Sequence, residues 1–464
     1  MFFFAIYSIL ISEGVVYLKE TVIRFWSGLH TIGSNIVSLQ NGDYRLIMDF
    51  GALAGADINR LCHKSEGYSL LSENLLPKID GLYDQATLAT YPLESLEDSS
   101  IKTILCLSHL HLDHIGSFGQ LSDKTPVYAL QESVDFYAKL KETNLLPAYN
   151  VNWQGVQPGE VIEHGPFSIE FVPVDHDTMG AASVFVTAPD TKLIYSGDWR
   201  LTGFEPEKMM SWAQKANAFN ADLLLMEGTT FSHVNTDPSE VDIRIAAKTT
   251  DLRARNEWHL IENIKKAMAD YDGRLVAFNG YPQNVRRMIE LVKVANKMGR
   301  EFVFNSAFYQ MIQDYVPADL RVRKLSEHDV TVEMIQAEPE KYMLQVEEDS
   351  IDTLLSFPAG LYLHSNGMPL GSYMPSYEPF VNRIVDAGWE FVIAAATGHA
   401  STRDLLLMNA VIRPKVIVPW HTFQPETYAK ALQEQGQLAW LPEYDQTYTW
   451  STLAASLGVI DEKN

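Results

Sequence analysis

The chain has very little cysteine, since its 464 residues include only Cys62 and Cys106. Two cysteines cannot build a disulfide-stapled scaffold, and so low a content is typical of proteins from a reducing compartment. The balance of 46% hydrophobic and 20% charged residues is that of a globular chain and excludes a disordered or coiled-coil protein. We therefore expect a cytoplasmic protein that is stabilised by a hydrophobic core.

A long apolar run is also lacking. A membrane-spanning helix needs about 20 apolar residues, and the N-terminal stretch MFFFAIYSILI is shorter. Its first positive charge comes only at Lys19, and no small-residue cleavage site follows, unlike in a signal peptide. We interpret this stretch either as a buried terminal strand or as residues translated from a start codon that lies upstream of the domain. We predict no membrane association.

Positive charge is scarce, with 36 Lys and Arg against 59 Asp and Glu, a net charge of −23. This balance argues against non-specific binding of nucleic acid through overall charge, but it leaves room for a local basic groove. The segment from Arg244 to Lys324 has the opposite balance, with fifteen basic and nine acidic residues. Such a segment faces a polyanion or is a solvated helix surface, and the sequence leaves both interpretations open.

Two patterns of secondary structure follow one another along the chain. Short apolar runs with turn signals such as Asn41-Gly42 predict a strand-rich first part. After about residue 232, helical and strand patterns alternate, which predicts a parallel sheet. We place an inserted α/β domain, here called the insert, at residues 233–394. Residues 1–232 and the return segment 395–464 form the first domain around it.

The strongest chemical signal is His109-Leu110-His111-Leu112-Asp113-His114, which follows the apolar run TILCLS at 103–108. Imidazole and carboxylate are ligands that Zn²⁺ prefers and Mn²⁺ accepts. A strand end can aim His109 and His111 the same way, while Asp113 and His114 open a turn or helix. One motif can therefore serve two neighbouring metal positions. Chance clustering is disfavoured, because unpaired polar groups behind a buried strand are costly.

Further candidate ligands end other apolar runs. His176 follows FSIEFVPV, Asp198 follows KLIYSG, and His421 ends VIVPWH. A carboxylate such as that of Asp198 can bridge two cations, whereas a neutral imidazole cannot. Asp175 and Asp177, which flank His176, are either partners of the ligands or parts of an acidic loop.

These motifs, in this order, resemble the metallo-β-lactamase fold superfamily and, within it, the β-CASP nucleases of the ribonuclease J type. Glu227 in LLLMEGTT, His399 in TGHAS and His421 in VIVPWH fit motifs A, B and C of that group. The resemblance implies an α/β fold, an αββα metallo-β-lactamase sandwich with an inserted α/β β-CASP domain. The chain departs from the pattern at Gly228, where Ser is usual, and after His421, where Thr422-Phe423 replaces Gly-Glu.

The resemblance also implies roles for individual residues. One divalent ion, Zn²⁺ or Mn²⁺, would be held by His109, His111 and His176, a second by Asp113, His114 and His421, and Asp198 would bridge them. Asp113, Glu227 and His399 would take part in catalysis. Glu227 would support the ligands, and His399 would contact the scissile phosphate or assist the leaving group. Ser401, Arg286 and Arg287 are candidate phosphate contacts, the arginines because they lie at a helix start.

The function implied is hydrolysis of phosphodiester bonds in single-stranded RNA by an exonuclease, an endonuclease or an enzyme with both activities, with water activated between two metals. In that case Tyr281 can stack on a base, whereas Phe278, inside a strand, is expected in the core. A homodimer is a further expectation. The alternatives are a DNA exonuclease, a metallo-hydrolase of a lactone, thioester or small phosphodiester, and a non-catalytic binding protein with a relic site.

Overall fold

The computed structural model describes residues 19–459, so the apolar N-terminal stretch lies outside the described residues. The strands are β1 (Val22–Ser27), β2 (Ile36–Asn41), β3 (Tyr44–Met48), β4 (Lys102–Cys106), β5 (Pro126–Leu130), β6 (Asn152–Val156), β7 (Val161–His164), β8 (Phe167–Pro173), β9 (Ala182–Thr187), β10 (Lys192–Tyr195), β11 (Leu223–Glu227), β12 (Thr250–Asp251), β13 (Val276–Gly280), β14 (Glu301–Phe304), β15 (Val322–Lys324), β16 (Tyr342–Gln345), β17 (Leu361–Ser365), β18 (Glu390–Ile393), β19 (Val416–Trp420) and β20 (Tyr448–Thr449).

The α-helices connect these strands or cover them. They are α1 (Ile58–Cys62), α2 (Gly67–Ser72), α3 (Gln85–Leu88), α4 (Leu112–Ile115), α5 (Gln131–Glu142), α6 (Pro206–Phe219), α7 (Glu240–Ala246), α8 (Glu257–Asp270), α9 (Val285–Lys297), α10 (Ser306–Ile312), α11 (Val332–Ala337), α12 (Ile351–Leu355), α13 (Tyr377–Asp386), α14 (Thr402–Ile412), α15 (Pro425–Glu434) and α16 (Trp450–Ser456). Within residues 19–459, none of them is long and apolar enough to cross a membrane.

Two sheets pack face to face. The first has the strand order β20-β1-β2-β3-β4-β5-β6 and the second the order β19-β11-β10-β9-β8-β7. Alternate residues of both sheets fill one buried cluster between them, as period-two patterning requires: Ile23, Val37, Leu46, Ile104, Val184, Leu193, Leu223 and Val418. The predicted hairpin at Asn41-Gly42 is present, with Asn41 paired to Tyr44 and Gly42 at a φ of +61°.

Helices cover the outer faces of these two sheets. On the first sheet, Ile47 and Leu105 pack against Leu70, Phe118 and Phe136 from the segment that carries α1 to α5. The outer face of the second sheet packs against α6 and α14 through Ile194, Leu224, Ile417, Met209, Trp212, Leu405 and Met408. The predicted αββα layering is therefore confirmed, and we call these four layers the sandwich.

The third sheet has the order β12-β18-β17-β13-β16-β14-β15, and its neighbouring strands are parallel. Helices α8 and α9 cover one face through Leu260, Ile264, Met288 and Leu291, and α11 to α13 cover the other through Ile335, Leu354, Phe380 and Ile384. The parallel α/β character predicted for the insert is confirmed. Its strands lie within residues 250–393, while the exact limits at 233 and 394 stay a prediction.

Some helices were not predicted from the sequence. Residues 59–100 show no clear period and form three short helices, whose four to six residues are too few for a helical pattern to repeat. Helix α6 has a readable signal in Met209, Trp212, Ala213 and Ala216, which recur at helical spacing and are all buried. Pro206 at its first turn is a further start signal.

Candidate metal centre

The candidate ligands meet at one edge of the sandwich. His109 and His111 follow β4, His176 follows β8, Asp198 follows β10, and His421 follows β19. Helix α4 begins directly after His111 and carries Asp113 and His114 on its single turn. Because the chain turns sharply after each buried strand, side chains that are far apart in sequence point into one region.

A first group consists of His109, His111 and His176, whose donor atoms lie within 4.8 Å of one another. His176 Nε2 is 3.2 Å from His111 Nδ1. His109 has no exposed surface, and His176 is also buried. Burial, followed by the charge of His114, lowers the pKa of His109 well below its usual value, so its ring stays neutral and keeps a lone pair for a ligand.

A second group consists of Asp113, His114, Asp198 and His421, again with donor atoms within 4.8 Å of one another. His421 Nε2 lies 2.9 Å from Asp113 Oδ2, and His114 Nε2 lies 3.5 Å from the same oxygen. Burial favours the neutral acid, but His114 and His421 outweigh it and hold the pKa of Asp113 well below its usual value. The group therefore presents at least one carboxylate beside two imidazoles.

Asp198 lies between the two groups. Its Oδ2 atom is 3.7 Å from His109 Nε2, 3.3 Å from His114 Nε2 and 3.8 Å from His421 Nε2. The residue is 1% exposed, and this oxygen has no hydrogen-bond partner in the protein. A buried carboxylate oxygen that faces ligand atoms of both groups is suited to bridge two cations.

The donor set fits divalent cations. His109 Nε2 and Asp198 Oδ2 are buried and lack a protein hydrogen-bond partner, and each points into the cluster. An unpaired buried polar atom costs about 1–3 kcal/mol, so several at one place call for an additional binding partner. Imidazole nitrogen and carboxylate oxygen are the ligand types of Zn²⁺ and Mn²⁺ sites. The role of each residue as a ligand stays a prediction.

Four of the five clustered histidines are held through Nδ1, which leaves Nε2 directed at the centre. His109 Nδ1 lies 3.0 Å from Ser108 Oγ, and His114 Nδ1 lies 2.6 Å from Asp49 Oδ2. His176 Nδ1 lies 2.6 Å from the Gly398 carbonyl, and His421 Nδ1 lies 2.7 Å from Thr229 Oγ1. Such contacts fix ring orientation and increase the basicity of the ligating nitrogen.

Asp49 is a further functional candidate, which was not predicted from the sequence. Besides contacting His114, its carboxylate accepts from the backbone N–H and the hydroxyl of Ser108 and from the Tyr195 hydroxyl, each at 2.7 Å. The residue is fully buried and has a φ of +55°. The available signal is an acidic residue that closes the apolar strand RLIMDF, in the same way that Asp198 follows KLIYSG.

Glu227 and His399 lie beside the second group. The ligand atoms of Glu227, His399 and His421 are within 4.8 Å of one another, and His399 Nδ1 is 3.7 Å from Asp198 Oδ2. Glu227 is fully buried and accepts from the Thr229 N–H at 2.9 Å and the Ala400 N–H at 3.2 Å. It therefore ties the loop that carries His399 to the end of β11. The His399 side chain is 22% exposed, so it is open to a substrate.

The three predicted phosphate contacts have different positions. Ser401 is half-buried and caps α14 by accepting from the Asp404 N–H at 3.1 Å. Arg286 is exposed, with its guanidinium 5.7 Å from the centre of the Phe204 ring. It lines a cleft between the sandwich and the insert that also borders His176.

Arg287 does not reach a substrate, and the prediction for it is corrected. The residue is 1% exposed, and its guanidinium donates to both carboxylate oxygens of Glu257 at 2.8 and 2.9 Å. It also donates to the Ala396 carbonyl and the Ser365 hydroxyl. Asn284 occupies the cap position of α9, so that Arg287 turns inward while Arg286 points to solvent. Neighbouring residues of a helix point about 100° apart around its axis, so Arg286 and Arg287 face different directions.

Two aromatic residues of the insert differ in their burial. Phe278 is fully buried against Phe302, as expected for a strand residue. Tyr281 is half-buried, and its ring centre is 5.3 Å from that of His111 in an edge-to-face arrangement. The insert thus contributes an aromatic side chain to the immediate surroundings of the first group.

The chain is similar to several known proteins. The profile of the beta-lactamase superfamily domain matches residues 77–256. The chain is 23% identical over 428 residues to ribonuclease J of Thermus thermophilus, covering 85% of this chain and 67% of that protein. It is 22% identical over 292 residues to ribonuclease J of Pyrococcus abyssi, covering 60% and 57%. The chain thus spans between about half and two thirds of the length of these relatives.

A solved structure resembles almost the whole chain. It is that of a protein of unknown function from Enterococcus faecalis V583, with a TM-score of 0.76 and 27% identity over 93% of this chain and all of that one. Hydrolases of this fold use divalent metal ions, which agrees with the clustered donors. The chain therefore matches the beta-lactamase superfamily domain over residues 77–256 and is similar to ribonuclease J proteins over most of its length.

Proposed function

We propose that this protein is a metal-dependent ribonuclease that hydrolyses phosphodiester bonds of single-stranded RNA. The observation that carries the proposal is that Asp198 lies between two groups of donors and also within 3.7 Å of His399, a partly exposed side chain. The relatives named ribonuclease J support RNA as the substrate.

The metal assignment is part of this proposal. His109, His111 and His176 would hold one divalent ion, Asp113, His114 and His421 a second, and Asp198 would lie between them. Zn²⁺ is the favoured ion because five of these seven ligands are imidazoles, and Mn²⁺ also accepts this donor set. When bound, two such ions would lower the pKa of a water molecule and stabilise negative charge on phosphoryl oxygens.

The side chains of the chain itself supply orientation and proton transfer. The water oxygen forms a bond to phosphorus while the bond to the departing ribose oxygen breaks, and that oxygen needs a proton. The His399 side chain is partly exposed, its Nδ1 atom lies 3.8 Å from Glu227 Oε2, and its backbone N–H donates to the Thr397 hydroxyl, so we assign this ring to the leaving oxygen. Glu227 acts through His399 and does not contact the substrate, because it is completely buried.

The cleft between the sandwich and the insert is the proposed path of the RNA. Arg286 and Lys208 line it and offer positive charge, and Ser401 lies beside His399 at the start of α14. A homodimer and a cytoplasmic location remain part of the proposal. Both cysteines are free thiols, which agrees with a reducing compartment.

The test is incubation of the Zn²⁺- or Mn²⁺-loaded protein with end-labelled RNA and DNA that carry a 5′ monophosphate, triphosphate or hydroxyl. We expect metal-dependent cleavage of RNA, and the product ladder distinguishes exo- from endonuclease action. His399→Ala should cut turnover, and His259→Ala, at an exposed histidine of α8, serves as the control. Intact RNA together with hydrolysis of a lactone, a thioester or a small phosphodiester would contradict the proposal, and cleavage of DNA alone would reassign the substrate.

A further inference from the structure

His111 differs from the other four predicted histidine ligands in which ring nitrogen faces the centre. The other four have Nδ1 held by a partner and Nε2 directed at the centre. In His111 the nitrogen that faces the first group is Nδ1, which lies 3.2 Å from His176 Nε2. Its Nε2 atom is buried and has no hydrogen-bond partner. A ring that binds through Nδ1 must carry a proton on Nε2, and that N–H needs an acceptor.

Asp177 supplies an acceptor close to this nitrogen. Its Oδ1 atom lies 3.4 Å from His111 Nε2 and 3.5 Å from His176 Nε2, and this oxygen is also buried without a hydrogen-bond partner. The residue is 8% exposed. Two unsatisfied buried atoms of opposite hydrogen-bonding type therefore face each other just outside bonding distance, and a small rotation of either side chain joins them.

The backbone around Asp177 keeps the carboxylate in this place. A Cβ atom at Gly398 would lie 2.8 Å from the Cγ, Oδ1 and Oδ2 atoms of Asp177, so the carboxylate occupies space that only glycine leaves. The carbonyl of the same Gly398 accepts from His176 Nδ1. One short loop before His399 thus packs on Asp177 and orients a ligand of the same group.

We infer that Asp177 is a positioning residue for the first metal position: its carboxylate accepts the Nε2–H of His111 and thereby presents Nδ1 to the ion. This inference rests on the proposed metal site. It gives His111 the partner that Ser108, Asp49, Gly398 and Thr229 give to the other four rings. Removal of such a partner typically weakens metal binding by about 10- to 100-fold.

The ring tautomer of each histidine ligand tests this inference directly. Long-range ¹H–¹⁵N correlation spectra of the Zn²⁺-loaded protein distinguish Nδ1-bound from Nε2-bound histidines. We expect His111 to bind through Nδ1, with its Nε2–H protected from solvent exchange, and the other four rings to bind through Nε2. In Asp177→Ala the His111 N–H should lose this protection, and Asp177→Asn, which keeps an acceptor oxygen, should recover part of it.

The Zn²⁺ affinity of the first position is measured in the same variants by competition with a chelator. We expect a loss of about 10- to 100-fold for Asp177→Ala and a smaller loss for Asp177→Asn. Asp175→Asn is the matched control, because Asp175 is equally buried in the same loop but contacts Arg200 and the Glu205 N–H instead of a histidine. It should leave both the spectrum and the affinity unchanged.

The outcomes separate this inference from the proposed function. Wild-type protein that binds no Zn²⁺ at His109, His111 and His176 would overturn both. Wild-type protein that binds Zn²⁺ there, with His111 ligating through Nε2, would overturn the inference alone, because Asp177 would then have no ring N–H to accept. Unchanged His111 protection and Zn²⁺ affinity in Asp177→Ala would overturn it in the same way.

Discussion

His114 is held from both sides by carboxylates. Asp49 Oδ2 lies 2.6 Å from its Nδ1 atom and Asp198 Oδ2 lies 3.3 Å from its Nε2 atom. Burial by itself would lower the pKa of His114, but Asp113, Asp198 and Asp49 together raise it well above the ordinary value. Without a cation, this ring therefore takes up a proton that a metal ion must displace.

We predict that Zn²⁺ binding to the metal-free protein releases protons at neutral pH. The raised pKa means that the protonated ring persists above pH 6.5, so the apparent Zn²⁺ affinity should increase as the pH rises through that raised value. Calorimetric titrations in buffers of different ionisation enthalpy measure the number of protons released. Binding without proton release, and with the same affinity at low and high pH, would contradict the prediction.

Asp198 and His399 should separate metal binding from turnover. Asp198→Ala removes the oxygen that faces both groups, so we expect lower metal content and no hydrolysis. His111→Ala should have the same effect.

His399→Ala removes a side chain that lies close to Asp198 and Glu227 but belongs to the proposed proton transfer. Metal should therefore stay bound while turnover falls by about 10²–10⁴-fold. Metal analysis and single-turnover assays measure the two effects separately. A fully active His399→Ala variant would contradict the proposed role of this residue.

Residue types at strand ends were enough to find the seven clustered histidines and aspartates. The sequence alone does not show which nitrogen of each ring faces inward, because that depends on partners such as Thr229, 192 residues from His421. Asp177 was recognised only as one of two acids beside His176. The prediction for Arg287 was wrong, since Glu257, its partner, is buried at the start of another helix.

At the scale of the element, β17 carries a buried histidine, His364, which does not belong to the candidate metal centre. His364 is 2% exposed and packs against the rings of Tyr377 and Phe391. Burial lowers the pKa of His364 to about 4, so the folded protein keeps this ring neutral where the unfolded chain would protonate it.

This lowered pKa predicts a loss of stability in acid. Above pH 6.5 both states are neutral at this ring and the full stability is present; as the pH falls toward 4, the unfolded chain gains a proton that the folded chain does not. The cost approaches about 3 kcal/mol near pH 4. The urea midpoint of the wild type should therefore fall further between pH 7 and pH 4.5 than that of His364→Phe.

His328→Phe is the matched control, because His328 is exposed in the same insert. Its midpoint should follow the wild type across this range. Parallel curves for the wild type and His364→Phe would show that His364 does not carry the effect and would contradict the prediction.

Whether a segment forms a helix or a strand could be predicted from its local hydrophobic pattern. The buried run PVYAL coincides with β5, and alternating helices and strands after residue 232 gave the parallel third sheet. Pairing order did not follow, since β16 inserts between β13 and β14, which precede it in sequence. That order is decided by packing between distant segments, which local periodicity does not encode.

At the scale of the whole molecule, a buried ion network joins the sandwich to the insert. Glu257, at the start of α8, accepts from Arg200 at 2.7 Å and from Arg287 at 2.8 Å. Arg200 lies just after Asp198 and also donates to the Thr397 carbonyl, two residues before His399. All three charged residues are essentially excluded from solvent. The network therefore fixes the insert relative to the loops that carry the candidate centre.

We predict that Glu257→Gln destabilises the protein by about 3–5 kcal/mol, because it leaves two buried guanidinium groups without their shared carboxylate. The insert should also loosen from the sandwich, which limited proteolysis near the two connecting segments detects. Glu262→Gln on the same helix, at an exposed glutamate paired with Lys265, is the control and should leave both readouts unchanged. Equal stability of the two variants would contradict this role.

The most direct measurement of the central claim is a crystal structure of the metal-loaded protein with anomalous data collected on both sides of the zinc or manganese absorption edge. We predict two anomalous peaks about 3.5–4 Å apart. One should lie among His109, His111 and His176, the other among Asp113, His114 and His421, with Asp198 contacting both. No peak at these side chains, or a single ion bound elsewhere, would contradict the account.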